Sequence, residues 1–227
     1  MRHLLLFDID GTLVRGGPAK QAFQEALSEV FGTAGRIQGH DFSGKTDPQI
    51  ARELLEGAGF SPREIDDGFP RLWEEYLGRM SERLGSQPME LIPGARETLA
   101  YLEDVEDVAL GLLTGNIVEG ARLKLGSVGL MDFFPVGGFG SDSEVRDHLP
   151  AFAIRRAAEN WGVEFSPDRV VVVGDTPRDV ACGRFGGTRT VGVATGRFDI
   201  SSLEEAGADH VLSDMGDLRE TISVLLG

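Results

Sequence analysis

Three short apolar runs, residues 4–7 (Leu-Leu-Leu-Phe), 108–113 and 170–173, constrain this chain more than any other feature. Each is nearly continuous and is bounded by polar residues or glycine. A strand wetted on one face alternates apolar with polar side chains, whereas a strand covered on both faces reads as an unbroken run. Runs at 190–193 and 210–212 read as weaker edge strands, and helical patterns at 95–103, 118–128, 150–161 and 218–226 alternate with the strands. The alternation predicts an α/β fold, a Rossmann-like doubly wound parallel sheet.

Residues 16–91 break that alternation. No convincing strand is visible there, and the patterns read as helices at 19–31 and 48–57 and a helical pair between 61 and 84. Ser61-Pro62-Arg63-Glu64 is a helix start, with Ser as cap, Pro in the first turn and Glu three residues after the cap. Gly68 and Pro70 are expected to divide the pair. Gly16-Gly17-Pro18 and Ser86-Gln87-Pro88 suit hinges. The expected division is a core of residues 1–15 and 92–227 with an α-helical cap of residues 16–91 inserted after the first strand.

With 22 basic against 37 acidic residues the formal charge is −15, which argues against nucleic acid as a partner. The apolar run at the N-terminus is too short for a membrane span or the apolar segment of a signal peptide. A single cysteine, Cys182, excludes an internal disulfide and suits a reducing compartment, so a cytoplasmic protein is expected. Oligomeric state leaves no mark in the sequence.

Polar residues at the strand ends carry the chemistry. Asp8 and Asp10 follow the first run, Thr114-Gly115-Asn116 the second, and Asp175 and Asp179 the third. In a parallel sheet these ends share one edge, where open α/β sheets bind ligands. Acids beside a core need a cation, and a divalent metal with oxygen ligands meets that need, with Asp175 completing a site begun by Asp8. The hydroxyl and backbone N–H groups of Thr114, Gly115 and Asn116 suit a phosphate, although such a triplet is also an ordinary turn. Asp179 either accepts bonds from metal-bound water or from the loop, or serves as a helix-start acid.

Asp8-x-Asp10-x-Thr12, Thr114 and Gly174-Asp175-x-x-x-Asp179 together resemble the motifs of haloacid dehalogenase superfamily phosphohydrolases with an α-helical cap, phosphoglycolate phosphatases among them. The similarity spans the whole chain. It implies Mg²⁺ held by the carboxylates of Asp8 and Asp175 and the backbone carbonyl of Asp10. Asp8 would be the nucleophile, forming an aspartyl phosphate, and Asp10 the general acid and base. The substrate implied is a small phosphorylated metabolite of the phosphoglycolate kind. The family's lysine before the fifth core helix is missing, since the only lysines are Lys20, Lys45 and Lys124. Aligning Phe152 with the aromatic residue common in that helix puts Arg146 in the lysine's place, either as a phosphate ligand or as a solvated loop arginine paired with Asp142, Glu144 or Asp147. In the insert, Lys45 of Phe42-Ser43-Gly44-Lys45-Thr46-Asp47 either meets an anionic leaving group or lies in solvent while Thr46 or Asp47 caps the next helix.

Other outcomes fit the same scaffold. A β-phosphoglucomutase-like mutase retains both aspartates, and a phosphonoacetaldehyde hydrolase would use Lys45 as an imine-forming lysine. Outside enzymes, a receiver-like signalling domain also uses acids, Mg²⁺ and Thr at strand ends, but in another order and without a helical insert. Mg²⁺-dependent hydrolysis of a phosphate monoester is the expected activity, and every acid that this chemistry requires is present.

Overall fold

The computed structural model describes residues 3–227. The chain opens with β1 (His3–Phe7) and β2 (Val14–Gly16), then three helices, α1 (Ala19–Phe31), α2 (Asp47–Glu56) and α3 (Pro62–Leu84). β3 (Met89–Leu91), α4 (Ala95–Glu103), β4 (Val108–Thr114), α5 (Val118–Ser127), β5 (Val136–Phe139) and α6 (Leu149–Trp161) follow. The remainder is β6 (Val170–Gly174), α7 (Pro177–Phe185), β7 (Arg189–Val193), α8 (Ile200–Glu205), β8 (His210–Leu212) and α9 (Leu218–Leu226).

Six strands form one parallel sheet in the order β5-β4-β1-β6-β7-β8. The unbroken apolar runs have a simple cause: both faces are covered. Leu5 and Phe7 of β1 enter one cluster with Leu110, Leu112, Val171 and Val173, packed by Leu99, Leu125 and Leu225 of α4, α5 and α9. Leu4 and Leu6 enter the opposite cluster with Leu113, Val170 and Val172, under Leu149 and Ala153 of α6. Register decides the rest. Phe7 pairs with Leu112 of β4 and with Val173 of β6, so Asp8, Thr114 and Asp175 emerge at the same C-terminal edge.

The helical segment has its own core. Phe23 and Leu27 of α1, Leu54 and Leu55 of α2, and Leu72, Tyr76 and Met80 of α3 form a third cluster. Three sequence expectations need correction. The pair expected between 61 and 84 is one continuous 23-residue helix with Pro70 inside it. Pro70 removes one backbone donor, but it and Asp66, whose carbonyl loses the bond, are exposed to water, while Leu72 and Tyr76 anchor the next turns. Gly68 serves packing, because a Cβ there would overlap the Phe31 ring.

In sequence Gly137-Gly138-Phe139-Gly140 reads as a flexible turn, but Gly137 and Gly138 belong to edge strand β5, where a Cβ would press on Leu112 or on the Leu149 carbonyl. The segment read as strandless contains β3, which pairs antiparallel with β2, Val14 opposite Leu91. Three-residue strands carry too little alternation to be recognised in sequence.

Candidate active site

The tight turn after β1 brings its acids to the edge of the sheet. Leu13 and Val14 both donate backbone N–H bonds to the Ile9 carbonyl, at 2.9 and 3.0 Å. Gly11 turns at φ +90°, and a Cβ there would overlap the Asp175 carboxylate, so only glycine fits. Carboxylate oxygens of Asp8, Asp175 and Asp179 lie within 4.8 Å of one another, all three residues buried. Burial is the largest cause raising Asp8 above the usual carboxylate range; Arg146 opposes it, and Asp179 and Asp10 add to it. Burial likewise raises Asp175, reinforced by Asp179 and Asp8. A dense set of hard oxygen donors that repel one another suits a divalent cation such as Mg²⁺.

Arg146 stands behind these acids, 5% exposed, in a short helical turn just before α6. Its Nη2 bonds Asp179 Oδ1 and lies 3.4 Å from Asp8 Oδ1. Burial works against its charge, but Asp179 and Asp8 outweigh burial and keep the guanidinium protonated. Its Nε is a buried donor without an acceptor among the described residues. Asp179 also closes a capping box at the start of α7, its Oδ2 accepting from Thr176 N at 3.0 Å and Thr176 Oγ1 at 2.6 Å. One carboxylate oxygen of Asp179 thus caps the helix, as the helix-start reading expects, while the other bonds Arg146.

Thr114 ends β4 fully buried, and its Oγ1 accepts from Asn116 Nδ2 at 2.8 Å. The same Nδ2 donates to Asp10 Oδ2 at 2.8 Å. The Asp10 carboxylate is not one of the three clustered acids and is held by Lys124, whose Nζ reaches Oδ1 at 2.8 Å and Oδ2 at 2.6 Å.

A cavity of about 360 Å³ lies between this edge and the helical segment. All three lysines of the chain line it, together with Phe23, Phe42 and Tyr76. Lys45 is not in solvent: it is paired with Glu53 at the cavity wall, while Thr46 caps α2 by accepting from Gln49 N. The segment meets the sheet edge through backbone groups. Asp47 N donates to the Gly115 carbonyl at 2.7 Å, and Ile117 N donates to Asp47 Oδ2 at 2.9 Å. Asp47 thereby ties down the residue that precedes α5. Burial pushes Asp47 up to about 6, against the pull of Lys124.

A family model described as haloacid dehalogenase-like hydrolase matches residues 5–193, which include every motif acid. The chain belongs to that family. This HAD-like hydrolase is 29% identical to the phosphoglycolate phosphatase of Synechococcus elongatus, the alignment covering 98% of each chain. A phosphoglycolate phosphatase of Vibrio vulnificus is 25% identical over 97% of this chain and 96% of its own. In fold it matches a hydrolase from Pseudomonas syringae over the whole of both chains, with a TM-score of 0.75 at 23% identity. It also matches CbbY from Rhodobacter sphaeroides, solved in complex with phosphate, over 96% of each chain with a TM-score of 0.72 at 20% identity.

In this HAD-like hydrolase the structure gathers Asp8, Asp10, Asn116, Arg146 and Asp175 around one cavity, with Thr114 and Asp179 buried just behind it. Gly115 also lines the cavity, yet its carbonyl is taken by Asp47, and a Cβ there would overlap the Lys45 carbonyl. The glycine admits the helical segment as much as any ligand. Arg155 and Arg156 stay outside, stacked on Phe152 and paired with Asp142 respectively. Sequence reasoning passed over two residues, Lys124 and Asp47. A signal for the first existed: it falls in the buried stripe Gly120, Ala121, Lys124 and Leu125 of α5, where a lysine needs an anionic partner. No comparable signal marks Asp47, which looks like any acid opening a helix.

Proposed function

We propose that this chain is a Mg²⁺-dependent phosphatase acting on phosphoglycolate or a similarly small phosphate monoester. The observation that carries the reading is the buried cluster of Asp8, Asp175 and Asp179 beside Arg146 at the C-terminal edge of the sheet. The phosphoglycolate phosphatases aligned along nearly the whole chain support the substrate class, as does the size of the cavity, about 360 Å³.

Asp8 and Asp175 would hold Mg²⁺ through carboxylates and Asp10 through its backbone carbonyl, with Asp179 adjoining. The ion would offset the negative charge of phosphate against these acids. Arg146 and Thr114 orient the phosphate oxygens, the unpartnered Arg146 Nε being one donor for them. A carboxylate oxygen of Asp8 attacks phosphorus as the bond to the alcohol oxygen breaks, and Asp10 gives that oxygen a proton. Water then attacks the aspartyl phosphate, Asp10 takes its proton, and phosphate leaves with Asp8 regenerated.

Residues 1–15 and 92–227 are read as the catalytic core, of which residues 1 and 2 lie outside the described residues, and 16–91 as a cap that closes on it to exclude water. No helix among the described residues is long and apolar enough to cross a membrane. With a single buried thiol at Cys182, a cytoplasmic site of action suits the chain.

The test is phosphate release from a panel of phosphorylated two- to six-carbon metabolites, with Mg²⁺ and with chelator. Chelator-sensitive release, greatest with phosphoglycolate, is expected. No release from any ester would sink the reading, and isomerisation of a sugar phosphate without release would replace it with a mutase.

A further inference from the structure

Lys124 is one of three lysines among 22 basic residues, and it is placed where an unpaired ammonium would be costly, on the buried face of α5 at 4% exposure. Its Nζ reaches both oxygens of Asp10, at 2.8 and 2.6 Å, and Asn116 Nδ2 adds a third bond at 2.8 Å. The carboxylate of Asp10 is nevertheless 46% exposed, on the side that lines the cavity. It is gripped from behind and open in front. A compact ammonium at the end of a flexible stem suits this position better than a planar guanidinium, which Arg146 supplies across the site.

We propose that Lys124 is a positioning residue for Asp10: it fixes the direction of the carboxylate so that one oxygen faces the leaving-group oxygen of the substrate. Lys124 therefore serves proton transfer, whereas Arg146 and Thr114 serve the phosphate. The assignment rests on the phosphatase reading above.

Substrates with different leaving groups separate these roles. An alkyl phosphate such as phosphoglycolate needs a proton at the departing oxygen, whereas p-nitrophenolate leaves without one. For Lys124→Met, kcat/KM toward phosphoglycolate is expected to fall on the order of 100-fold or more, and toward p-nitrophenyl phosphate less than about 10-fold. The double variant with Asp10→Asn is expected to be no slower than Asp10→Asn alone, because Lys124 acts through Asp10. Equal losses on both substrates, or losses that multiply in the double variant, would overturn the proposal. Lys124→Gln is the second variant, with circular dichroism and thermal melting confirming that each is folded.

A crystal structure of the wild-type enzyme gives a readout independent of any variant, and an Asp10 carboxylate there out of hydrogen-bond range of Lys124 would also overturn it. A wild-type chain that releases no phosphate would remove both readings together. An active wild type with uniform losses removes this one alone.

Discussion

The sheet edge and the helical segment face each other across one cavity, yet different interactions hold them. At the edge, Asp8, Asp179 and Arg146 are each 5% exposed or less, and none can lose its partner without leaving a buried charge uncompensated. At the seam, Arg52 bonds both oxygens of Glu144 at 2.6 and 2.7 Å, and Arg178 meets Asp41 at 3.0 Å, with side chains 22% to 42% exposed. Pairs of that kind contribute at most about 1 kcal/mol each. Buried charges therefore answer one another at the edge, whereas the seam combines half-exposed ion pairs with the bonds that Asp47 makes to Gly115 and Ile117.

The largest expected effect tests the sheet edge. Asp8→Asn should lower phosphate release on the order of 10⁴-fold or more without lowering the melting temperature, since it replaces a buried acid by a neutral isostere and leaves Arg146 paired with Asp179. Near-wild-type turnover would end the case for a nucleophile on β1. Arg146→Met should next cost about 3–5 kcal/mol in chemical denaturation, because it strands Asp8 and Asp179. A loss below about 1 kcal/mol would erase the distinction between edge and seam.

The third prediction concerns pH. The folded pKa of Asp47 is about 6 against an ordinary 3.8, so the folded state holds the extra proton between those values. Its stabilising contribution is complete below pH 3.8 and is lost as pH rises through about 6. Asp8 and Asp175, also raised, extend the decline to higher pH. Denaturation in chelator should show stability falling over this range, each carboxylate adding at most about 1.4 kcal/mol per pH unit. Asp47→Asn should flatten the lower part of that slope, and an unchanged slope would remove Asp47 from it.

The smallest effect belongs to the seam. Glu144→Ala should change stability by less than about 1 kcal/mol, while amide hydrogen exchange in residues 41–56 quickens. Unchanged exchange would mean that the Arg52 pair does not hold the segment down.

The parallel sheet, the helical nature of the insert and the motif acids were legible in sequence. Burial on both faces leaves unbroken apolar runs, and a strand end followed by an acid marks a binding edge. Arg146 was reached through Phe152 and the place left by a missing lysine. Less legible were features that depend on neighbours distant in the chain: the continuity of α3 through Pro70, the packing role of Gly68, and strand β5 with its glycines.

Sequence alone determined which residue types reach the C-terminal edge, because the spacing of apolar runs dictates strand ends whatever lies around them. Only the tertiary structure decided which charge answers which. Lys124 lies 114 positions from Asp10, and Asp47 lies 70 from Ile117. Local periodicity can show that a buried charge needs a partner, but packing across the fold chooses that partner.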